Sequence, residues 1–107
     1  MATSKDFLNY LIEQLKGISD ITFRPMMGEY LLYYRGKLIG GVCDNCVFLK
    51  PVASAKKLLP DAYMRPPYNG AKDMIVLEEL ENVQLIQTLF ENMYAELPEP
   101  KQKTKRI

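Results

Sequence analysis

The chain of 107 residues has no histidine, no tryptophan and only two cysteines. Without histidine the commonest general base and the commonest metal ligand are missing. Ser-His-Asp and Cys-His mechanisms are thereby excluded within one chain. Long apolar runs are missing too, and none approaches the stretch of about 18 residues that a membrane span needs. The opening Met1-Ala2-Thr3-Ser4-Lys5-Asp6 lacks the charged-then-apolar order of a secretory signal. These absences make a cytoplasmic protein without a membrane span the expectation. Charge of one sign is also scarce, since the net charge is +1. Four of the basic residues, Lys101, Lys103, Lys105 and Arg106, lie in the last ten positions against Glu99. The other 10 basic and 12 acidic residues leave the body at about −2. Such a body carries no strong electrostatic footprint for nucleic acid.

What is present is a chain of one-domain length, 48% apolar and 25% charged, enough for a single core. Phe7, Leu8, Leu11, Ile12 and Leu15 recur at helical spacing and predict a helix over Lys5–Lys16. Thr3 or Ser4 is its cap, with Thr3 and Asp6 placed as in a capping box. Gly17 suits the left-handed residue that closes such a helix, with Ile18 as the apolar contact beyond it. Strands are predicted at Ile21–Pro25, Glu29–Tyr34, Lys37–Cys43 and Cys46–Lys50. Pro25 marks an edge or a strand end, because it cannot donate to a ladder. Arg35-Gly36 and Asp44-Asn45 read as two-residue hairpin turns. Gly40-Gly41 inside a strand signals a bulge or a close backbone approach. A short helix over Ala53–Leu59, capped by Ser54, precedes a proline-rich loop over Pro60–Lys72. Asp73–Leu77 is a further strand. Asn82 caps a last helix whose stripe is Val83, Ile86, Leu89, Phe90, Met93, Tyr94 and Leu97. Glu78, Glu79 and Glu81 suit the positive end of that helix far better than a metal site. The fold class is α+β: an antiparallel meander sheet with the N-terminal and C-terminal helices packed on one face, in the order α-β(3-4)-α-β-α. Residues 1–97 form the domain, and 98–107 a flexible basic tail. The second sheet face is left to that tail or to a partner.

Three stretches carry a family resemblance: Arg24-Pro25-Met26-Met27-Gly28, Tyr30-Leu31-Leu32-Tyr33-Tyr34-Arg35-Gly36-Lys37 and Val47-Phe48-Leu49-Lys50. With Pro66-Pro67-Tyr68-Asn69-Gly70-Ala71-Lys72, they make nearly the whole chain resemble the N-terminal domain of the TfoX/Sxy family of bacterial competence regulators, in a single-domain subgroup. The resemblance implies a secretion-chaperone-like fold, a non-enzymatic regulatory role and no cofactor.

The candidate sites follow from the residues. Cys43-Asp44-Asn45-Cys46 straddles a hairpin turn instead of opening a helix, so two ordinary reduced thiols are the first expectation. Redox pairing, or a zinc ion shared between two copies, are the alternatives. Tyr30, Tyr33, Tyr34, Phe23 and Phe48 lie on adjacent strands. Core packing comes first for these rings, a protein interface second and base stacking last. Pro66-Pro67 stiffens a loop that offers Arg65, Tyr68 and Lys72 to partner carboxylates or an anionic ligand. Arg24 and Tyr33, together with Lys72, are the candidate lining of a small-ligand pocket. The favoured function is a protein-interaction module, with a protein partner or a second copy as its ligand. The alternatives are a nucleic-acid accessory binding weakly through the tail, and an anionic-ligand binder.

Overall fold

The computed structural model describes residues 3–99. Met1, Ala2 and the 100–107 stretch, with the flexible-tail expectation attached to it, lie outside the described residues. Helix α1 (Lys5–Leu15) is capped by Ser4, whose side chain accepts from the Phe7 N–H at 3.1 Å. Leu11 and Leu15 are buried on its inner face, whereas Ile12 of the expected stripe is 44% exposed. Thr3 makes no capping box. Its hydroxyl donates to Glu29 Oε1 at 2.7 Å, and so ties the N-terminal segment to a hairpin end. Gly17 does not take a left-handed conformation. The Ile18 N–H closes the helix onto the Leu15 carbonyl, and the chain reverses at Asp20, with φ 68°.

The sheet begins with β1 (Ile21–Met26), β2 (Glu29–Tyr34), β3 (Lys37–Cys43) and β4 (Cys46–Leu49). Each is joined to the next by two residues of positive φ: Met27-Gly28, Arg35-Gly36 and Asp44-Asn45. That is the hairpin geometry whose twist matches the strands. The expected Gly and Asx turns are therefore present, and a third one uses a methionine. Strand β1 is an edge strand, as Pro25 indicates. Helix α2 (Ala53–Leu58) follows β4. Its N-cap is Val52, not Ser54, and the Ser54 N–H is satisfied by Glu96 Oε1 at 3.1 Å. The expected loop over Pro60–Lys72 holds a two-residue strand, β5 (Met64–Arg65), paired with β6 (Met74–Leu77). The six strands are antiparallel throughout, in the order β1-β2-β3-β4-β6-β5.

Alternation divides the sheet into two faces. Leu32, Tyr34, Ile39, Val42, Val47, Leu49, Ile75 and Leu77 point to the core. There they meet Leu11 and Leu15 of α1 and Ile86, Leu89, Phe90 and Met93 of α3 (Val83–Tyr94), with α2 packed beside α3. Asn82 caps α3 by accepting from the Leu85 N–H at 3.2 Å. Glu81 just before it accepts from the Tyr10 hydroxyl at 3.4 Å. Both terminal helices thus bury their stripes against one sheet face, in an α+β fold. The five aromatic rings do not form one cluster. Phe23, Tyr30 and Tyr34 pack toward the core, while Tyr33 and Phe48 alternate to the outer face.

A bulge keeps this division consistent. Leu32 pairs with Gly40 and Tyr33 with Leu38, so Ile39 is the extra residue of β3. Ile39 and Gly40 are both buried, and alternation resumes in phase beyond them. A Cβ at Gly40 would overlap the Phe48 carbonyl oxygen, so only glycine fits there.

The far end of α3 is held by the residues around the β2–β3 turn. Tyr34 packs edge-on against Phe90 and Tyr94, with ring centroids 5.6 and 6.1 Å apart. The Arg35 guanidinium lies 5.1 Å from the Tyr34 ring centre and 5.8 Å from that of Tyr94. Lys37 is only 5% exposed. Its ammonium sits 4.2 Å from the Tyr94 ring centre and donates to the Tyr94 carbonyl at 3.2 Å, with Glu99 at 3.5 Å. A cation at the negative end of α3 is favourable, and burial of its stem adds packing.

Two stability outcomes follow. Phe90→Ala should cost about 3–5 kcal/mol, as loss of a fully buried ring does. Gly40→Ala should cost about 3 kcal/mol by forcing β3 from β4. Urea unfolding of the purified variants measures both. An unchanged midpoint for Gly40→Ala would mean that the two strands are not held at this approach.

Candidate functional site

The outer face is built from the strand register. Arg24, Leu31, Gly41, Phe48 and Val76 form one cross-strand row, and Cys43 pairs with Cys46 in the next row toward the hairpin tips. Phe48 on this face is fully buried. Among the described residues its cover is Arg65, which β5 lays across it. The guanidinium carbon stands 5.0 Å from the Phe48 ring centre, and Nη2 donates to Cys46 Sγ at 3.3 Å. Arg65 is therefore half-buried and engaged, not the freely exposed charge that the loop composition suggests.

Beyond Arg65 the chain rises as Pro66-Pro67-Tyr68-Asn69 and forms one wall of a groove of about 680 Å³. Met26, Met27, Glu29, Cys43 and Asp44 form the remainder of its lining. Met27 is 96% exposed and Tyr68 64% exposed, and Met26 and Met64 are partly open at 44% and 37%. Met27 owes its exposure to its turn position. Its φ of 53° aims the side chain out of the hairpin, in a region that non-glycine residues seldom adopt. The tips are fixed from below. The Asn45 N–H donates to Thr3 Oγ1 at 3.3 Å, the Ser4 N–H to Asn45 Oδ1 at 2.9 Å, and the Asp44 N–H to Glu29 Oε1 at 3.3 Å. The groove is thus an opening of mixed lining on a braced pair of hairpins, with Met26, Met27, Pro66, Pro67 and Tyr68 beside Glu29, Asp44, Arg65 and Asn69.

The five expected site residues fall into separate places. Arg65 and Tyr68 line the groove. Arg24 and Tyr33 pair with each other at the β1–β2 edge, with the guanidinium 5.8 Å from the ring centre. Lys72 is exposed beyond the loop and lines no part of the groove. Arg24, Tyr33 and Lys72 are thus not gathered around this opening. Met26, Met27 and Glu29 escaped the sequence reading. The signal for them was Met-Met-Gly between two strands, which places a methionine in a two-residue turn.

The thiols are free. Burial pushes the Cys43 thiol above its ordinary pKa, with a further upward push from the Glu29 carboxylate. Arg65 opposes the shift and Asp44 reinforces it. Among the described residues no group of three Cys, Asp or Glu side chains is gathered closely enough to hold a metal ion. Among the described residues no helix is long and apolar enough to cross a membrane.

The upward shift sets a sign for pH dependence. Above the unfolded thiol pKa of about 8.5, the unfolded chain releases the Cys43 proton while the folded chain keeps it. The folded state then binds more protons, so stability falls as pH rises through the folded pKa. Thermal melts at several pH values should show a steeper alkaline decline for the native protein than for Cys43→Ser. Parallel curves would contradict the burial of this thiol.

The family model described as the TfoX N-terminal domain matches residues 13–99. A curated relative, an uncharacterized 12.7 kDa protein from the trpE 5′ region of Spirochaeta aurantia, is 32% identical over 102 residues. That alignment covers 94% of this chain and 89% of the relative. No solved structure matches.

Proposed function

The chain belongs to the TfoX N-terminal domain family, and on that membership we propose that it is a non-enzymatic protein-interaction module with a regulatory role in the cytoplasm. The observation that carries the reading is the groove with the exposed Met27 and Tyr68 side chains on its walls. Large apolar side chains open to water on a rigid frame mark an interaction site. Methionines adapt their shape to a partner's apolar side chains. The ligand is a partner protein that inserts apolar side chains between Met27 and Tyr68. Arg65 and Asp44 stand in the same lining as polar groups that orient it. The charge of the body supports a protein over a nucleic acid. Residues 3–99 hold 10 basic and 13 acidic side chains, a balance of −3.

The test is Met27→Lys combined with Tyr68→Ala, two exposed positions whose replacement leaves the core intact. Capture of partners from cell extract by the immobilised protein should fall about tenfold, the effect of losing apolar anchors worth some 1–2 kcal/mol. Circular dichroism should be unchanged. Sedimentation of the purified protein separates self-association from binding of a different chain. An unchanged set of captured proteins with the folded double variant removes the groove from this role. Catalytic turnover abolished by a single side-chain change would reject the non-enzymatic reading.

A further inference from the structure

The pair Cys43 and Cys46 has no part in the groove-binding reading beyond the lining provided by Cys43. Their placement has a chemistry of its own. They are the last opposed pair of the β3–β4 ladder, flanking the Asp44-Asn45 turn. Opposed residues in an antiparallel pair stand about 4.5–5.5 Å apart at Cα. That spacing lies within the range of about 4.4–6.8 Å that a disulfide spans. Both side chains leave the same face, and both residues are half-buried, so a small solute can reach them. A disulfide between them needs no strand to move far. It closes a very short loop, and short strained disulfides are the readily reduced ones.

The two sulfurs are not equivalent. Cys46 Sγ receives the Arg65 N–H at 3.3 Å, from a guanidinium fixed against the Phe48 ring. The guanidinium is thus placed to hold the Cys46 sulfur and to hydrogen-bond the thiolate that forms when it attacks. Cys43 stands instead near the Glu29 and Asp44 carboxylates, where burial and the Glu29 charge push its thiol above the ordinary pKa. One sulfur is thus set to attack and the other to resolve.

We propose that Cys43 and Cys46 form a thiol–disulfide exchange site that accepts small-molecule disulfides of the glutathione type, with Cys46 as the attacking sulfur, Cys43 as the resolving sulfur and Arg65 as the positioning residue. The Cys46 sulfur, having released its proton to solvent, attacks one sulfur of the small disulfide. That S–S bond breaks and one thiolate leaves, taking up a proton. Cys43 then gives up its proton and attacks the Cys46 sulfur of the mixed disulfide. The second small thiolate departs and is protonated in turn. Two electrons pass from the protein to the small disulfide, and the two thiol hydrogens end on two small thiols. No other reactant is needed.

The experiment treats the reduced full chain with oxidised glutathione and follows intact mass and free thiols. The expected product is a monomer lighter by two hydrogens, restored by dithiothreitol. Cys43→Ser should accumulate one glutathione on Cys46, and Cys46→Ser should react several-fold more slowly. Arg65→Gln should slow the first step about three- to tenfold, and Arg65→Lys should recover part of that loss. Competitive alkylation of the unmodified native protein gives a second readout that does not depend on any variant folding. Cys46 should be labelled several-fold faster than Cys43 in the same molecule. Equal labelling of the two thiols overturns the assignment of roles. Thiols that stay reduced in the folded chain, while a peptide of the same hairpin is oxidised, overturn the site. Disulfides found only between molecules do so as well.

Discussion

The register of the β1–β4 meander is the constraint on which everything else rests. Three successive two-residue turns, each with both residues at positive φ, allow the strands one alignment apiece. In a sheet with one buried face, a slip by one residue would send every side chain to the wrong side. The bulge at Ile39 belongs to the same constraint. By adding one residue to β3 it brings Val42, Val47 and Leu49 back to the core face and sends Gly41, Cys43 and Phe48 outward. Glycine at position 40 is the condition for that bulge, since the Phe48 carbonyl occupies the space of a side chain. The core, the outer row and the thiol pair are consequences of this alignment.

Much of this was legible in the chain because its signals are local. Gly36 and the Asp44-Asn45 pair tolerate the left-handed region, so their turns could be read directly. The stripe from Ile86 to Leu97 and the Asn82 cap likewise need only their own neighbours. What escaped depends on residues distant in sequence. The Met27 turn was obscured because methionine seldom adopts positive φ, and here the brace of Thr3, Glu29 and Asn45 holds the tip. Strand β5 is two residues long, and only its partner β6 makes it a strand. Ser54 looked like a cap, yet Glu96 from beyond α3 supplies that bond. The thiol pair could be recognised as C-x-x-C, but its Arg65 neighbour could not.

The residues that carry the family resemblance are chiefly architectural. Tyr34 is a core ring, Arg35 rests on two tyrosines, and Lys37 bonds the carbonyl of Tyr94, the last residue of α3. Gly36 is the second residue of a turn. A pattern of this kind identifies a fold and its register, because most of its members answer a packing or turn requirement. It identifies no ligand for the same reason. Met27 and Tyr68 belong to the same stretches, yet their side chains are exposed and answer no packing requirement. The Arg35–Asp20 contact at 3.9 Å shows the same division. It is exposed on both sides, so the attraction adds little to stability. Arg35 matters through its contacts with the rings.

Arg65 is where the two outer-face features meet. Its backbone is part of β5, its stem covers Phe48, its guanidinium reaches Cys46, and it lines the groove. A hydrogen bond from a guanidinium is stronger to a charged acceptor than to a neutral one. Any change in charge or bonding at the Cys46 sulfur therefore alters the force on Arg65. Arg65 cannot move without uncovering Phe48, which is fully buried beneath it. That cost restrains the guanidinium, which therefore belongs at once to the surroundings of the Cys46 sulfur and to the wall of the groove.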